Sequence, residues 1–554
     1  MMKLIFTLFS MMMAGIMTAQ NTVGLLSFDQ SRQYDGYTLI YPHNQPNVFL
    51  LNNCGEIVHT WTDADSIRPG NTAYILADGR LLKTKRNAVV VNDPIWAGGG
   101  GAWVELRSWD NDLLWQFHLN DASARLHHEA IMLPNGNVLM LAWENKSAEE
   151  AIAAGRDTAL LTEGELWPDY LLEVRPIGTD SFETVWEWHV WDHLIQDFDS
   201  TKANFGVVAD NPQLVDINWD TSDGEADWMH SNAIDYHPEL DQIILSVPTF
   251  NELWIIDHST STEEAAGHFG GFGGRGGDLL YRYGNPAAYD RGTQEDQVFF
   301  FQHSTKWIDD FLTPSHPHFG KIALYNNRVG ANYSAVNIMR PSFDMYSWSY
   351  DTMDGVWLPS SFDWSYVHPD TTIMHSTGLS SIQLLPNGNT LICAGRRGYL
   401  FEITPDEEIV WEYRTPLRGG QPVAQGEVLE INNNLTFAAR RYPADYPAFS
   451  GRDLSAKGYL EVNPDTTFCD STTPTRNVVR GPAPRLYPNP ATETLTVEWE
   501  DGGMGMIDVY DLLGRHVYHD YGFGGRAYLD ISKWHPGLYY VMVDGGAVEK
   551  LVVE

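Results

Sequence analysis

The sequence has few cysteines, little positive charge and little periodicity of the helical kind. Its three cysteines, Cys54, Cys393 and Cys469, are too few for a disulfide scaffold, although an exported protein could form one bridge. The sequence leaves the pairing open, and no CxxC or CxxxC spacing points to a metal held by cysteines. Lys and Arg number 35 against 73 Asp and Glu, a formal net charge of -38. This balance argues against a nucleic-acid partner, because phosphate binding requires a basic face.

Long hydrophobic runs are also missing after the N-terminus, where no segment reaches the roughly 20 apolar residues of a membrane-spanning helix. The N-terminus itself has Lys3, an apolar stretch over residues 4–17, and a small residue at Ala19. This pattern is typical of a secretory signal peptide covering residues 1–19. We therefore expect a protein without an integral membrane segment that is soluble after export.

Internal repeats are the strongest structural signal. A turn of the Asn-Gly or Asp-Gly type between apolar strands accepts positive φ angles and is typical of a tight β-hairpin. It occurs at residues 75–79, 132–137 and 384–389, and in looser form at 237–241, around Gly320 and at 432–434. The sequence therefore predicts about six hairpins.

A second pair of alternating strands follows some of these hairpins, at 170–174 with 184–188 and at 399–403 with 408–413. Two hairpins make a four-stranded sheet, which is one blade of a β-propeller. The strands at 47–61 resemble the outer half of a blade, so we expect inner strands from about residues 426–440 to close the ring. The predicted fold class is all-β, and the tryptophans Trp61, Trp115, Trp186 and Trp411 are predicted to pack between blades.

The composition changes after Cys469 to Thr, Pro and Arg, which indicates a linker over residues 468–484. A small β-sandwich module follows at 485–554, with YPNP at 487–490, D-x-x-G-R at 511–515 and GLYYV at 537–541. In these motifs the module resembles the type A C-terminal sorting domain of the type IX secretion system of Bacteroidetes. The resemblance implies contact with that machinery and a secreted or cell-surface protein.

Histidines recur just before the strands predicted to be innermost in their blades: His127 with His128, His230, His303 and His375. Because equivalent ends of inner strands surround the same mouth of a propeller channel, these imidazoles should face one small volume. Such a cluster could bind a metal or an anion, or act as acid, base and nucleophile. The carboxylate of Glu129 alone does not favour a metal, so we predict neither a metal nor a cofactor.

These segments resemble bacterial arylsulfotransferases over residues 30–465, a likeness carried by DGYTL at 35–39, GEIVHTW at 55–61, HHE at 127–129, DWMHSN at 227–232, QH at 302–303, YNNR at 325–328 and SIQLLPNGNTLICAG at 381–395. The resemblance implies a six-bladed propeller over residues 20–467. It also implies transfer of a sulfuryl group from a phenolic sulfate to a phenol through a sulfated histidine, without a nucleotide donor.

The resemblance further implies roles for single residues. His375 would be the nucleophile, His230 and His303 would hold the sulfate oxygens, and Arg328 would neutralise charge on the transferring group. Substrate-binding positions would be His127, His128, Asn232 and Arg396.

Three features of the sequence depart from the family. The N-terminal β-sandwich and the closely spaced cysteine pair of well-known members are missing, and Arg396 and Arg397 are alternatives to Arg328. Two other functions stay open: a non-catalytic propeller that binds a ligand at its mouth, and a metal- or quinone-dependent oxidoreductase.

Overall fold

The computed structural model describes residues 21–309, 311–469, 483–499, 503–512, 514–543 and 547–554. The predicted signal peptide, residues 1–19, and residues 470–482 of the predicted linker lie outside the described residues. Strands dominate the described part, which confirms the all-β prediction.

Antiparallel sheets succeed one another along the first 443 residues. Named A to F and listed from the innermost strand outwards, they are A (Thr436–Pro443, Gly36–Pro42, Val48–Leu51, Ile57–Trp61), B (Ile67–Ile75, Leu81–Asn87, Trp103–Arg107, Leu113–His118), C (Ala124–Met132, Val138–Glu144, Asp169–Ile177, Ser181–His189), D (Ala233–His237, Gln242–Val247, Glu252–Asp257, Tyr281–Tyr283), E (His303–Trp307, Ile322–Gly330, Tyr333–Met339, Trp364–Tyr366) and F (Ser381–Leu384, Thr390–Ala394, Tyr399–Ile403, Ile409–Arg414, Gly24–Phe28). In all of them but sheet A, the two innermost strands follow each other directly in the chain.

The inner strands of sheets A to F contact one another in this order, and sheet F contacts sheet A again. The sheets therefore surround a central channel, which is the arrangement of a β-propeller. Sheet A closes the ring as predicted, because its innermost strand comes from the C-terminal side and pairs Arg441 with Thr38. This strand begins at Thr436, later than the predicted 426–440. Strand Gly24–Phe28, which the sequence reasoning missed, adds a fifth strand to sheet F.

The repeated turns join the two inner strands of a sheet. Gly79, Gly136 and Gly388 have φ angles of 88°, 87° and 89°, the left-handed region that favours glycine. These hairpins are confirmed, together with those at 237–241 and around Gly320. The turn at 432–434 was misread: it leads into Thr436–Pro443, whose hydrogen-bonded partner strand lies near the other end of the chain.

Tryptophans fix neighbouring sheets to each other, as predicted. Trp61, Trp115, Trp186 and Trp411 are buried. Three of these indoles donate Nε1–H to a backbone carbonyl of the next sheet, over 3.1 Å to Ser108, 2.9 Å to Ser181 and 2.8 Å to Asn53. Each indole thus combines burial of a large apolar surface with a directed hydrogen bond.

Helices are short and lie in the connections. The α-helices are Ala148–Ala154, Thr262–Ala265 and Thr371–Met374, and the 3₁₀ turns are Thr158–Leu160, Val190–His193, Val208–Asp210, Pro286–Tyr289, Gln294–Asp296, Gly395–Arg397 and Pro447–Phe449. The longest begins with a reciprocal capping pair, Ser147 and Glu150, and ends at Gly155 with a φ of 103°. None of the helices in the described residues is long and apolar enough to cross a membrane.

Two-residue ladders complete the connections: Lys146–Ser147 with Glu165–Leu166, Leu194–Ile195 with Val215–Asp216, Phe343–Asp344 with Ser349–Tyr350, Thr352–Met353 with Val356–Trp357, and Leu417–Arg418 with Gln421–Pro422. A disulfide joins Cys54 to Cys469, and Cys393 is a buried free thiol. One bridge thus forms, and one thiol is left over.

The C-terminal module is a two-sheet sandwich. One sheet contains Arg485–Tyr487, Thr494–Glu498 and Arg526–Asp530, and the other His516–Gly522, Gly505–Asp511, Gly537–Val543 and Val548–Val553. Apolar side chains from both sheets form a core of their own, with Leu495, Val497, Val509 and Val541 among its buried members.

Candidate active site

Three of the predicted histidines meet at one mouth of the channel, which we call the histidine mouth. His128 and His230 have rings 4.8 Å apart, and Phe301 lies 5.9 Å from His230 and 5.8 Å from His303. Phe437 lies 6.0 Å from His128 and 6.1 Å from His303. The inner strands of sheets C, D and E and the residues next to them bring these imidazoles into one volume, although His128 lies within strand Ala124–Met132 and not at its start.

The backbone takes unusual conformations at these positions. His128 and His230 have φ angles of 49° and 54°, and Ser304, which follows His303, has 56°. Residues other than glycine seldom adopt this region, and each such residue costs about 1–3 kcal/mol. The left-handed residues break the strand alternation, so each imidazole can turn towards the channel.

Hydrogen bonding fixes the tautomer of His303. Its Nδ1 lies 2.8 Å from Asn327 Oδ1 and 3.2 Å from the carbonyl oxygen of Phe301, and both partners can only accept. Asn327 is oriented by its own Nδ2, which donates to the carbonyls of Ser376 and Leu379. Nδ1 of His303 therefore carries the proton, and in the neutral ring Nε2 keeps its lone pair. Burial lowers the pKa of His303 to about 3, and the charge of His230 adds to the effect, so the ring is neutral.

His230 has the opposite electrostatic character. Its Nδ1 donates to Asp227 Oδ2 over 2.5 Å, which holds the ring from behind. Burial lowers the pKa of His230, but the charge and hydrogen bond of Asp227 outweigh burial, so the net pKa is raised. His230 is thus suited to carry a positive charge and donate from Nε2 into the channel.

His128 is neutral for another reason. Burial and the neighbouring His230, His127, His303 and His43 hold its pKa well below the usual value. Its Nδ1 lies 2.9 Å from Nδ1 of His127, and Nε2 of His127 lies 3.1 Å from the buried Asp169 carboxylate. His127 stacks on Trp143 at 4.0 Å. His127 therefore supports His128 from behind.

Arg328 completes the cationic side of the histidine mouth. Its guanidinium carbon lies 3.5 Å from the ring centre of Phe301, and its Nε donates to the carbonyl of Thr377 over 2.9 Å. The positive charge of Arg328 acts to lower the pKa of both His230 and His303, although Asp227 keeps the net pKa of His230 raised.

A cavity of about 770 Å³ opens beside His230 and Arg328, whereas His128 and His303 are not among the described residues that line it. It is lined by His230, Asp227 and Arg328 and by the aromatic side chains of Trp96, Trp167, Phe300 and Phe301. The carboxylates of Glu163, Asp223 and Glu225 line the cavity as well. A ligand that is both aryl and anionic would therefore place its anionic group against His230 and Arg328 and its ring against the aromatic side chains.

The other predicted site residues have different surroundings. His375 follows helix Thr371–Met374, and its carbonyl accepts from Nε of Arg397 over 3.1 Å. Burial and the charge of Arg397 lower its pKa. Among the described residues, no ring contact joins His375 to His128, His230 or His303.

Asn232 and Arg396 lie near the site but contact protein groups. Asn232 Nδ2 donates to the carbonyl of Gln302 over 2.8 Å, which fixes the residue before His303. Arg396 donates from Nη1 to Asn432 Oδ1 over 3.0 Å. Burial lowers the pKa of Arg328, and the charge of Arg396 adds to this effect.

The comparisons with known proteins concern the family of the chain. A family model described as Arylsulfotransferase (ASST) matches residues 111–415, more than half of the chain. The chain belongs to the arylsulfotransferase family. The histidine mouth of this arylsulfotransferase draws on sheets C, D and E, which lie within the matched residues.

The C-terminal module of this arylsulfotransferase matches the model described as Secretion system C-terminal sorting domain at residues 485–554. This match confirms the recognised type IX sorting domain, and it shows that the protein is exported to the cell surface or the medium.

Solved structures give weaker similarities. A protein of unknown function from Bacteroides caccae has 11% identity and a TM-score of 0.38, covering 74% of this chain and 98% of its own. Virginiamycin B lyase from Staphylococcus aureus has 10% identity and a TM-score of 0.31, covering 72% and 90%. At this level the similarities say nothing about activity. A search of the curated proteins gave no match.

The sequence reasoning missed several residues of the site: Asp227, Asn327, Phe301, Phe437 and His43. Two had a usable signal, since Asp227 stands three positions before His230 and Asn327 precedes Arg328 in YNNR. Phe437 lies in the innermost strand of sheet A, and His43 follows the second strand of that sheet. Only the closure of the propeller by sheet A brings both residues near the site.

Gly99 controls the position of the His128 ring. A Cβ at this position would lie 2.1 Å from Nε2 of His128, and Gly99 has a φ of 84°. We expect Gly99→Ala to displace His128 and reduce kcat/KM for sulfuryl transfer at least about tenfold, since small misplacements at a reacting centre are costly. Gly98→Ala is the matched control, because its Cβ would meet His230 Cε1 at an ordinary 3.6 Å. Equal kcat/KM values for the two variants would contradict this role of Gly99.

Proposed function

We propose that this arylsulfotransferase transfers a sulfuryl group from a phenolic sulfate to a phenol through a sulfated His303. The observation that carries the proposal is the arrangement of His303, whose Nδ1 faces two acceptors and whose neutral Nε2 keeps a lone pair. A nucleophile of this kind lies beside two cationic groups, His230 and Arg328, that can stabilise negative charge on sulfate oxygens.

The first half-reaction makes one bond and breaks one. Nε2 of His303 attacks the sulfur atom, an N–S bond forms, and the bond from sulfur to the phenolic oxygen breaks. The departing phenolate takes the Nε2 proton of the His230 imidazolium, which stays bound to Asp227 through Nδ1. Arg328 and the remaining donors at the mouth balance the charge of the sulfuryl oxygens.

The second half-reaction reverses these roles with another phenol. Neutral His230 takes the proton of the acceptor hydroxyl, the phenolic oxygen attacks sulfur, and the N–S bond breaks. The electron pair returns to Nε2 of His303, and His230 is again an imidazolium. The tautomer of His303 need not change, because Nδ1–H remains bonded to Asn327 throughout.

The aromatic rings of the cavity support the choice of substrate. Trp96, Trp167, Phe300 and Phe301 offer apolar faces next to the cationic groups, which suits stacking of the aryl ring of donor and acceptor in turn. One cavity for both substrates agrees with a reaction in which the first product leaves before the second substrate enters.

Which histidine attacks sulfur distinguishes this proposal from the sequence-based assignment. His375 as the nucleophile stays a prediction, but its surroundings favour it less than His303. Its contacts are with Arg397 and the backbone near Tyr333, whereas His303 shares its volume with His230 and Phe437.

The wild-type protein gives the direct test of the proposed reaction. We expect hydrolysis of a chromogenic phenyl sulfate to be slow and release of the phenol to rise at least about tenfold when a second phenol is added, because the acceptor discharges the sulfated histidine. The measurement is phenol release against acceptor concentration. Turnover that does not depend on an acceptor would contradict transfer, and binding without turnover would favour a ligand-binding propeller.

A further inference from the structure

The sorting domain lies against the mouth of the channel opposite the histidines, which we call the far mouth. The inner strands of sheets B, C and D end there, at Ile75, Met132 and His237. The backbone N–H of Ala77 donates to the carbonyl of Leu512 over 3.3 Å. The hairpin turns that repeat along the sequence thus form the surface on which the sorting domain rests.

Arg515 enters the far mouth. Its Nη1 donates to the carbonyl of Tyr236 over 2.7 Å and lies 3.6 Å from Asp309 Oδ2, while its Nε pairs with Asp511 over 2.8 Å. Burial acts to lower the pKa of Arg515, but Asp511, Asp309 and Asp235 outweigh it and raise the pKa. A guanidinium whose side chain is only 5% exposed is thus matched by carboxylates of the propeller and of its own turn.

Apolar contacts surround this ion pair. Leu512 and Tyr540 of the sorting domain belong to the same buried cluster as Tyr442, Tyr446 and Phe311 of the propeller. Gly514 has a φ of 78°, and a Cβ there would lie 2.3 Å from the Tyr446 ring, so the turn fits only without a side chain at this position. The D-x-x-G-R turn of the sorting domain is therefore shaped to the far mouth.

The channel between the two mouths is filled by polar side chains. Glu129 accepts from Nζ of Lys306 over 2.8 Å and from the backbone N–H of Ile234 over 2.8 Å. Lys306, Arg440 and Arg515 line one cavity of about 30 Å³, large enough for a water molecule. The sorting domain thus forms the end wall of a channel whose other end is the candidate active site.

We infer that the far mouth is a guanidinium-binding socket that holds the sorting domain without a covalent link, with Arg515 as its anchor. Buried carboxylates, a backbone carbonyl and an apolar rim together recognise the Arg-bearing turn. Cutting the linker alone then leaves the domain in place and the far mouth closed. This inference does not depend on the proposed sulfuryl transfer.

The experiment uses the full chain with a protease site inserted between residues 474 and 475. Cys54 and Cys469 both lie in the N-terminal fragment, so their disulfide does not link the two fragments after cleavage, and non-covalent contacts such as those above hold them together. We expect both fragments of the wild type to elute as one species in size-exclusion chromatography at micromolar concentration. With Arg515→Ala we expect them to separate, with a dissociation constant raised at least about thirtyfold.

Matched variants separate the socket from general effects. Arg526→Ala removes an arginine of the same domain that is 44% exposed and paired with Glu498, and it should co-elute like the wild type. Asp309→Asn changes the socket from the propeller side, so it should weaken the complex even if Arg515→Ala unfolds the sorting domain. The inference fails if the wild-type fragments separate on cleavage, or if neither Arg515→Ala nor Asp309→Asn weakens their association.

Discussion

Replacing His303 by asparagine is expected to lower the rate of sulfuryl transfer at least about a thousandfold. The variant keeps a side chain that can hydrogen-bond with Asn327, but it has no lone pair that can attack sulfur and leave again. The rate of phenol release from a phenyl sulfate in the presence of an acceptor phenol measures the loss. Mass spectrometry of the wild type, quenched with donor alone, should find the sulfuryl group on the peptide that contains His303.

His375→Asn is the matched control for this prediction. Its ring has no contact with the other three histidines in the part of the chain that the structure describes, so we expect its rate to stay within about tenfold of the wild type. The reverse result, in which His375→Asn abolishes transfer and His303→Asn does not, would overturn the assignment to His303 and restore the one that the sequence suggested.

Replacing Asp227 by asparagine is expected to lower kcat about a hundredfold at neutral pH. Asp227 raises the pKa of His230 more than any other group. Without its charge, burial and the charge of Arg328 lower that pKa against the weaker opposing effect of Asp169. Less of His230 is then protonated, so the departing phenolate has no acid to take a proton from. Steady-state rates with a phenyl sulfate and a phenol measure this change.

The pH dependence distinguishes this effect from a loss of structure. A proton donor with a raised pKa is charged below that pKa and loses its proton as the pH rises, so the activity of the wild type should fall on the alkaline side. In Asp227→Asn the fall should begin at a lower pH, and part of the activity should return in acid. Glu225→Gln, which removes an exposed carboxylate from the same cavity, should leave the profile unchanged. An unshifted profile in Asp227→Asn would show that Asp227 does not set the protonation of His230.

The repeated turns predicted the sheets well because each hairpin is a local feature. An Asn-Gly or Asp-Gly pair between apolar strands fixes the turn and both strands within about fifteen residues. The turn at 432–434 was misread because its strand does not form a local hairpin. That strand pairs with Gly36–Pro42, near the other end of the chain. Strand Gly24–Phe28 was missed because its partner, Ile409–Arg414, is also far away in the sequence.

The histidine mouth likewise combines local features that the sequence predicts with distant contacts that it does not. His128, His230 and His303 were predicted because each lies in or close to the inner strand of its own sheet, although His128 lies within its strand, His230 before it and His303 at its first residue. The roles that the resemblance implied for them stay predictions, because protonation depends on neighbours that folding supplies. A hydrogen bond with Asn327, on the neighbouring strand, fixes the tautomer of His303, and a hydrogen bond with Asp227 favours the protonated form of His230. The sequence alone favoured His375, whose motif position is similar but whose contacts are with Arg397.

The sequence by itself determined the all-β class, the sorting domain and the export of the protein. These follow from local patterns of turns, strands and motifs, which short segments carry on their own. Only the tertiary structure decided that burial lowers the pKa of His303, that Asp227 raises the pKa of His230, and that Arg515 of the sorting domain contacts the far mouth. Desolvation, charge pairing and ring closure depend on residues that are distant in the chain and adjacent only after folding.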